Sequence, residues 1–129
     1  MPKKKKKAKI LLAEDDKFIS LAYKDGLERS GFHVIVANDG VEAIKKFKSE
    51  KPDLVLLDII MPQKNGFEVL EEIKKSKKQK NIPIIILSNL GQDTDIKKSR
   101  ELGASDYLIK SNFSMSEVVN KVKKYLDKH

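Results

Sequence analysis

Several residues of this 129-residue chain have side chains suited to joint chemistry: the acidic run Glu14-Asp15-Asp16, then Asp58, Ser88 and Lys110. Each follows a short apolar stretch, Ile10 to Ala13, Leu54 to Leu57, Ile84 to Leu87 and Tyr107 to Ile109 respectively. Carboxylates gathered at one place repel one another unless a cation sits between them. Hard oxygen ligands suit magnesium, which takes only one or two protein carboxylates and keeps several waters. A lysine and a hydroxyl alongside suit a phosphoryl group as the remaining partner. Each residue also has a structural role open to it. Asp15 or Asp16 can cap a helix, and for Asp16 capping is the role we expect. Asp58 can start a loop, Ser88 can be a satisfied strand-end hydroxyl, and Lys110 can be one of many surface lysines. The chemical reading therefore depends on whether the chain brings them together.

The apolar pattern argues that it does. Lys9 to Ala13 reads as a buried strand, and Asp16 to Ser30 carries Ile19, Ala22, Tyr23 and Leu27 at helical spacing, closed by Gly31. Phe32 to Ala37 is a second strand, and Val41, Ile44 and Phe47 mark a second helix ended by Pro52. Asp53 to Asp58 is a third strand, Gly66 to Lys75 a helix with Phe67, Leu70 and Ile73 on one face, and Pro83 to Ser88 a fourth strand. The segment from Thr94 to Leu102 is a helix whose only strongly apolar residues are Ile96 and Leu102, so it should be the least firmly packed. Ser105 to Ile109 is a fifth strand. Ser114 and Glu117 form a capping box for a last helix, with Met115, Val118, Val119, Val122 and Leu126 inward. Strands alternating with helices, and apolar on both faces, predict an α/β fold with a parallel five-stranded sheet covered on both sides. In such sheets ligands bind beyond the carboxyl ends of the strands, where the chemistry-bearing residues stand here.

With these residues placed, the sequence resembles the response-regulator receiver family. The motifs are Ile10-Leu-Leu-Ala-Glu-Asp-Asp16, Pro52-Asp-Leu-Val-Leu-Leu-Asp58, Met61-Pro62 with Gly66, Ile84-Ile-Ile-Leu-Ser88 and Asp106-Tyr-Leu-Ile-Lys110, and the spacings of Asp58, Ser88 and Lys110 also match. The resemblance covers nearly all of the chain after an N-terminal lysine tail. It implies a doubly wound, flavodoxin-like (βα)5 fold with strand order 2-1-3-4-5, in which residues 9–129 are the receiver and 1–8 a basic, disordered tail. It also implies roles. Asp58 is the phosphoacceptor, Asp15 a direct ligand of Mg2+ (or Mn2+), Glu14 a ligand through water, and the backbone carbonyl of Ile60 a further ligand. Ser88 bonds the phosphoryl oxygen, Lys110 is its ion-pair partner, and Tyr107 is the aromatic switch on the fifth strand. The implied donor is a histidine kinase or phosphotransfer protein. The implied output is a change in the face formed by the fourth helix, fifth strand and fifth helix, read by an unknown downstream protein. Such a protein is not a turnover enzyme; it catalyses only its own phosphorylation and a slow dephosphorylation.

The sequence departs from the family's usual pattern at three places. Asn89 follows Ser88, where a small residue is usual, and would narrow access to Asp58. Ser111 follows Lys110 in place of the usual proline, so no cis bond is expected there. Ile60 and Leu90, two residues beyond Asp58 and Ser88, are apolar and cannot orient water, which predicts a long-lived phosphoryl group.

The net charge of +8 is uneven: Lys3 to Lys7 and Lys9 supply most of it, and the rest of the chain is close to balanced. A lysine run without interleaved aromatics is expected to be a solvated end, with at most weak, salt-sensitive and sequence-independent contact with nucleic acid. No apolar run approaches the roughly 20 residues of a membrane span. There is no secretory signal and no cysteine, and the expected location is cytoplasmic. No attached output domain is expected. Two other functions compete. An aspartate-nucleophile phosphatase would need a second aspartate two residues after Asp58, where Ile60 stands. A degenerate receiver that only docks partners, independently of phosphorylation, would not need the complete set Glu14, Asp15, Asp58, Ser88 and Lys110.

Overall fold

The computed structural model describes residues 7–76 and 81–127, and the expectation for the lysine tail falls outside them up to Lys6. Five strands, β1 (Lys9–Ala13), β2 (His33–Ala37), β3 (Leu54–Leu57), β4 (Ile84–Ser88) and β5 (Asp106–Ile109), alternate with helices α1 (Lys17–Arg29), α2 (Gly40–Glu50), α3 (Gly66–Lys74), α4 (Asp93–Glu101) and α5 (Met115–Asp127). All pairings are parallel, in the order β2-β1-β3-β4-β5. This is the predicted doubly wound sheet. Its central strands are apolar on both faces because helices cover both. Leu11, Val55 and Ile84 point into a layer with Ala43 and Phe47 of α2 and Val69, Leu70 and Ile73 of α3. Their neighbours Ile10, Leu54 and Ile85 point the other way, toward Leu27 of α1 and Val118, Val119 and Val122 of α5. Each such side chain contributes about 1.5–3 kcal/mol by leaving water.

The helix ends follow the predicted signals. Asp16 caps α1, its Oδ1 accepting from the N–H groups of Phe18 (2.9 Å) and Ile19 (3.0 Å). Gly31 takes φ +98° just beyond that helix. Ser114 and Glu117 exchange the two capping-box bonds of α5 at 3.1 and 2.9 Å. Two predicted inward residues face out. Ala22 is exposed and Ser20 is buried in α1 instead, its hydroxyl donating to the Lys17 carbonyl, so a small polar residue fits where apolar periodicity pointed elsewhere. Val41 is exposed because Gly40 and Ala43, together with Phe47, face the sheet at the start of α2. In α4 only Ser99 is buried, in keeping with the sparse apolar face read from sequence. Among the described residues no helix is long and apolar enough to cross a membrane.

Candidate functional site

Strand register assembles the site. Ala13 pairs with Leu57, so Glu14 and Asp58 emerge side by side, and the Asp58 N–H donates to the Ala13 carbonyl at 3.0 Å. Ser88 pairs with Ile109, so Lys110 leaves β5 one residue beyond Ser88. The residues found at separate strand ends thus meet at one edge of the sheet.

Asp58 is the centre. It is only 6% exposed, and both of its oxygens are held. Oδ1 accepts from the Ser88 hydroxyl at 2.7 Å and from the Ile60 N–H at 3.2 Å. Oδ2 accepts from Lys110 Nζ at 2.6 Å. The same ammonium donates to Glu14 Oε1, and Glu14 Oε2 accepts from the Asp16 N–H at 3.0 Å. Burial raises the pKa of Glu14, against the opposing hydrogen bond from Lys110. For Lys110, burial acts to lower the pKa, but the hydrogen bonds to Asp58 and Glu14 outweigh it and hold the ammonium above its ordinary value. The lysine is therefore a fixed positive charge at any physiological pH.

Glu14, Asp15 and Asp58 can each place a carboxylate oxygen within 4.8 Å of the others, with Asp15 on the exposed side. This all-oxygen donor set fits a hard divalent cation with open positions for water. Ile60, whose carbonyl is the further ligand implied by the resemblance, lies on the loop after β3, and its side chain is 61% exposed. Tyr107 is half-buried and its hydroxyl donates to the Leu90 carbonyl. Burial, with the nearby Asp95 and Asp58 carboxylates, pushes its pKa up to about 12, so the hydroxyl stays a donor. Leu90 also donates its N–H to Ser88 Oγ at 3.3 Å, linking the Tyr107 contact to the Asp58 contact through one turn. Asn89 is exposed, with its Oδ1 accepting from the Ser111 N–H at 3.0 Å. No peptide bond among the described residues is cis, the one after Lys110 included.

One contributor, Asn38, escaped the sequence reading, and for another, Gly66, the physical reason did. Asn38, directly after β2, donates from Nδ2 to the Glu14 carbonyl at 3.0 Å and so braces the acidic loop. Inspecting the end of every strand, β2 included, would have found it. Gly66 donates its N–H to the Ile59 carbonyl at 2.8 Å, and a Cβ there would overlap the Asp58 carbonyl oxygen. Only glycine lets the start of α3 pack this closely beneath the Asp58 loop. The motif containing Gly66 was visible, but the reason for a glycine was not.

Comparison with known proteins agrees with this geometry. The response regulator receiver domain family matches residues 10–123. The chain is 42% identical over 118 residues to the alkaline phosphatase synthesis transcriptional regulatory protein PhoP of Bacillus subtilis, covering 92% of this chain and 48% of that protein. It therefore spans about half the length of the curated relatives it matches. Among solved structures, the Francisella response regulator 1452 receiver domain superposes with a TM-score of 0.85 at 32% identity, covering 94% of this chain and 98% of that one. The BeF3-activated N-terminal receiver domain of Klebsiella pneumoniae RstA does so with 0.85 at 31% identity, covering 92% and 97%. With a matching fold, a matching strand order and this family match over most of its length, the chain belongs to the response regulator receiver domains of two-component signalling.

Proposed function

We propose that the chain is a phosphoacceptor switch that takes a phosphoryl group on Asp58 from a phosphohistidine of a histidine kinase or phosphotransfer protein. The observation that carries this reading is the holding of the two Asp58 oxygens, one by Ser88 and one by Lys110, beside the Glu14–Asp15 pair. A carboxylate oxygen of Asp58 forms the new bond to phosphorus. The phosphorus–nitrogen bond to the donor imidazole breaks, and its electron pair stays on the imidazole nitrogen, which takes up a proton. Lys110 neutralises charge on the transferring group, and Ser88 donates to one of its oxygens, so positioning and electrostatics supply most of the acceleration. Glu14, Asp15, Asp58 and the Ile60 carbonyl would hold Mg2+ or Mn2+. When bound, the metal ion supplies further charge neutralisation on the phosphoryl oxygens.

The switch then acts through Ser88 and the turn that follows it, altering the face of α4, β5 and α5 that a downstream protein reads. Ile60, where a phosphatase of the aspartate-nucleophile class needs a carboxylate, offers no acid or base for turnover. The protein accordingly accepts one phosphoryl group and releases it slowly, and works in the cytoplasm. The test is intact mass after incubation with acetyl phosphate and magnesium, beside Asp58→Asn. A single phosphoryl adduct that needs the metal and disappears in the variant is expected. No adduct from either acetyl phosphate or a phosphohistidine donor would overturn the reading in favour of a docking-only receiver.

A further inference from the structure

Two residues that depart from the family's usual pattern touch each other. Asn89 stands where a small residue is usual, Ser111 where proline is usual, and Asn89 Oδ1 accepts a hydrogen bond from the Ser111 N–H at 3.0 Å. A small residue at 89 would lack the reaching acceptor, and a proline at 111 would lack the donor. The two departures are thus two halves of one contact.

Its position gives it a role. Asn89 directly follows Ser88, which holds Asp58 Oδ1, and Ser111 directly follows Lys110, which holds Asp58 Oδ2. The β4–β5 ladder ends at the pair Ser88 and Ile109. Ser88 is still held by that pair, but Lys110 lies one residue past it, and the Asn89–Ser111 bond ties together the residues that follow Ser88 and Lys110. On the far side of the same turn the Leu90 carbonyl accepts from the Tyr107 hydroxyl. α4, which follows, buries only Ser99 and so gives the turn little anchorage.

We propose that Asn89 is a positioning residue for the phosphoryl site: through the backbone N–H of Ser111 it holds Ser88 and Lys110 at the separation at which both reach the group on Asp58. This rests on Asp58 as the phosphoacceptor. The bond is exposed and contributes little to folding, so its loss acts on phosphoryl-group affinity and not on global stability.

The probe is beryllium trifluoride, a tetrahedral mimic of a phosphoryl group on a carboxylate, titrated at saturating magnesium and read by fluorine NMR. Asn89→Ala should weaken binding by about two- to tenfold, the range of one hydrogen bond. Ser111→Pro should weaken it similarly, and Ser111→Ala, which keeps the N–H, should bind like the parent. Proline also restricts the backbone of Lys110, so the cycle carries the test. The double variant Asn89→Ala/Ser111→Pro should be no weaker than Ser111→Pro alone. The Ser111 amide should exchange faster in Asn89→Ala, with the urea midpoint unmoved. Unchanged affinity in Asn89→Ala, additive losses in the cycle, or a Ser111→Ala protein as weak as Ser111→Pro would overturn the proposal. A parent protein that binds no beryllium trifluoride would instead overturn the phosphoacceptor reading, and this inference with it.

Discussion

Replacing Lys110 with methionine removes the one ammonium that lies between two buried carboxylates. The Lys110 side chain is 10% exposed, that of Glu14 3% and that of Asp58 8%, so Lys110→Met would strand two negative charges with little solvent. Breaking a fully buried pair costs about 3–5 kcal/mol, and the solvent-facing Asp15 edge of the site reduces this to about 2–4 kcal/mol. The measurement is urea unfolding followed by circular dichroism in the presence of a chelator. The variant's midpoint should fall at unchanged m-value. Two companion results separate charge from packing. Adding Glu14→Gln to Lys110→Met should recover part of the loss, because one stranded charge is gone and the cavity is the same. Magnesium should stabilise Lys110→Met more than the parent, since a cation then has no ammonium to compete with. The pH dependence follows from the raised pKa of Lys110 in the folded state. Its contribution is fully present below the unfolded lysine value and is lost as pH rises through the folded one. The deficit of Lys110→Met should therefore begin to shrink on the alkaline side only above about pH 10, and on the acid side as Glu14, raised further without the lysine, takes up a proton. A Lys110→Met protein as stable as the parent under chelator, or a double variant less stable than the single, would refute the electrostatic account.

Tyr107→Phe should lose about 0.5–1.5 kcal/mol at neutral pH with the bond to the Leu90 carbonyl. Because the Tyr107 pKa rises from 10.0 to about 12 on folding, the parent's stability should also decline relative to the variant as pH rises from the lower value through the higher, in alkaline unfolding curves. Gly66→Ala should cost about 1–3 kcal/mol by overpacking against the Asp58 carbonyl, and should weaken magnesium binding by shifting the loop that carries Ile60. Calorimetric titration of the metal checks the second effect, and unaltered affinity would show that the loop absorbs the methyl group. Ile60 is 61% exposed, so Ile60→Asn should leave stability unchanged and speed loss of the phosphoryl adduct, followed as decay of intact mass; an unchanged lifetime would remove Ile60 from control of water. Beryllium trifluoride with magnesium should change amide exchange in the β4–α4 turn and α4 and leave the middle of α5 unaltered; the reverse pattern would move the output elsewhere.

The sheet was legible because its signals are strong and local. Four-residue apolar runs such as Leu54–Leu57 and Ile84–Leu87 leave no solvated face, and only a covered parallel sheet accommodates them in alternation with helices. The site was legible for a related reason. Asp58, Ser88 and Lys110 are polar residues placed where an apolar strand stops, so one-dimensional position already encoded a shared edge. Partners across the fold were less so. Asn38 bonds a backbone carbonyl 24 positions away, and Gly66 is required by a carbonyl oxygen, which carries no side-chain signature. Helix faces failed where volume mattered more than polarity. Ser20 is buried because it is small and can satisfy its hydroxyl within its own helix, and Val41 is exposed although it is apolar. The Asn89–Ser111 contact was present in the sequence as two separate departures, and only the register of β4 on β5 joins them.

The energies of the two flanking helices bear on which of them can carry a signal. In α5, Val118, Val119 and Val122 are buried, and three such side chains contribute about 5–9 kcal/mol. No change in a few hydrogen bonds at Asp58 can displace a helix held that firmly. In α4 only Ser99 is buried, and an ammonium, Lys98, lies 4.5 Å from the ring centroid of Phe67, a contact worth about 0.5–1 kcal/mol at an exposed site. The turn before it is tied by the Tyr107 bond at about 1 kcal/mol and by the exposed Asn89 bond at less. These terms sum to the same order as a typical coupling free energy between sites, about 1–3 kcal/mol. Ser88 belongs both to this turn and to the Asp58 site. A new ligand for its hydroxyl at Asp58 therefore acts on α4, the flanking helix of the two whose anchorage is small enough for that ligand to shift.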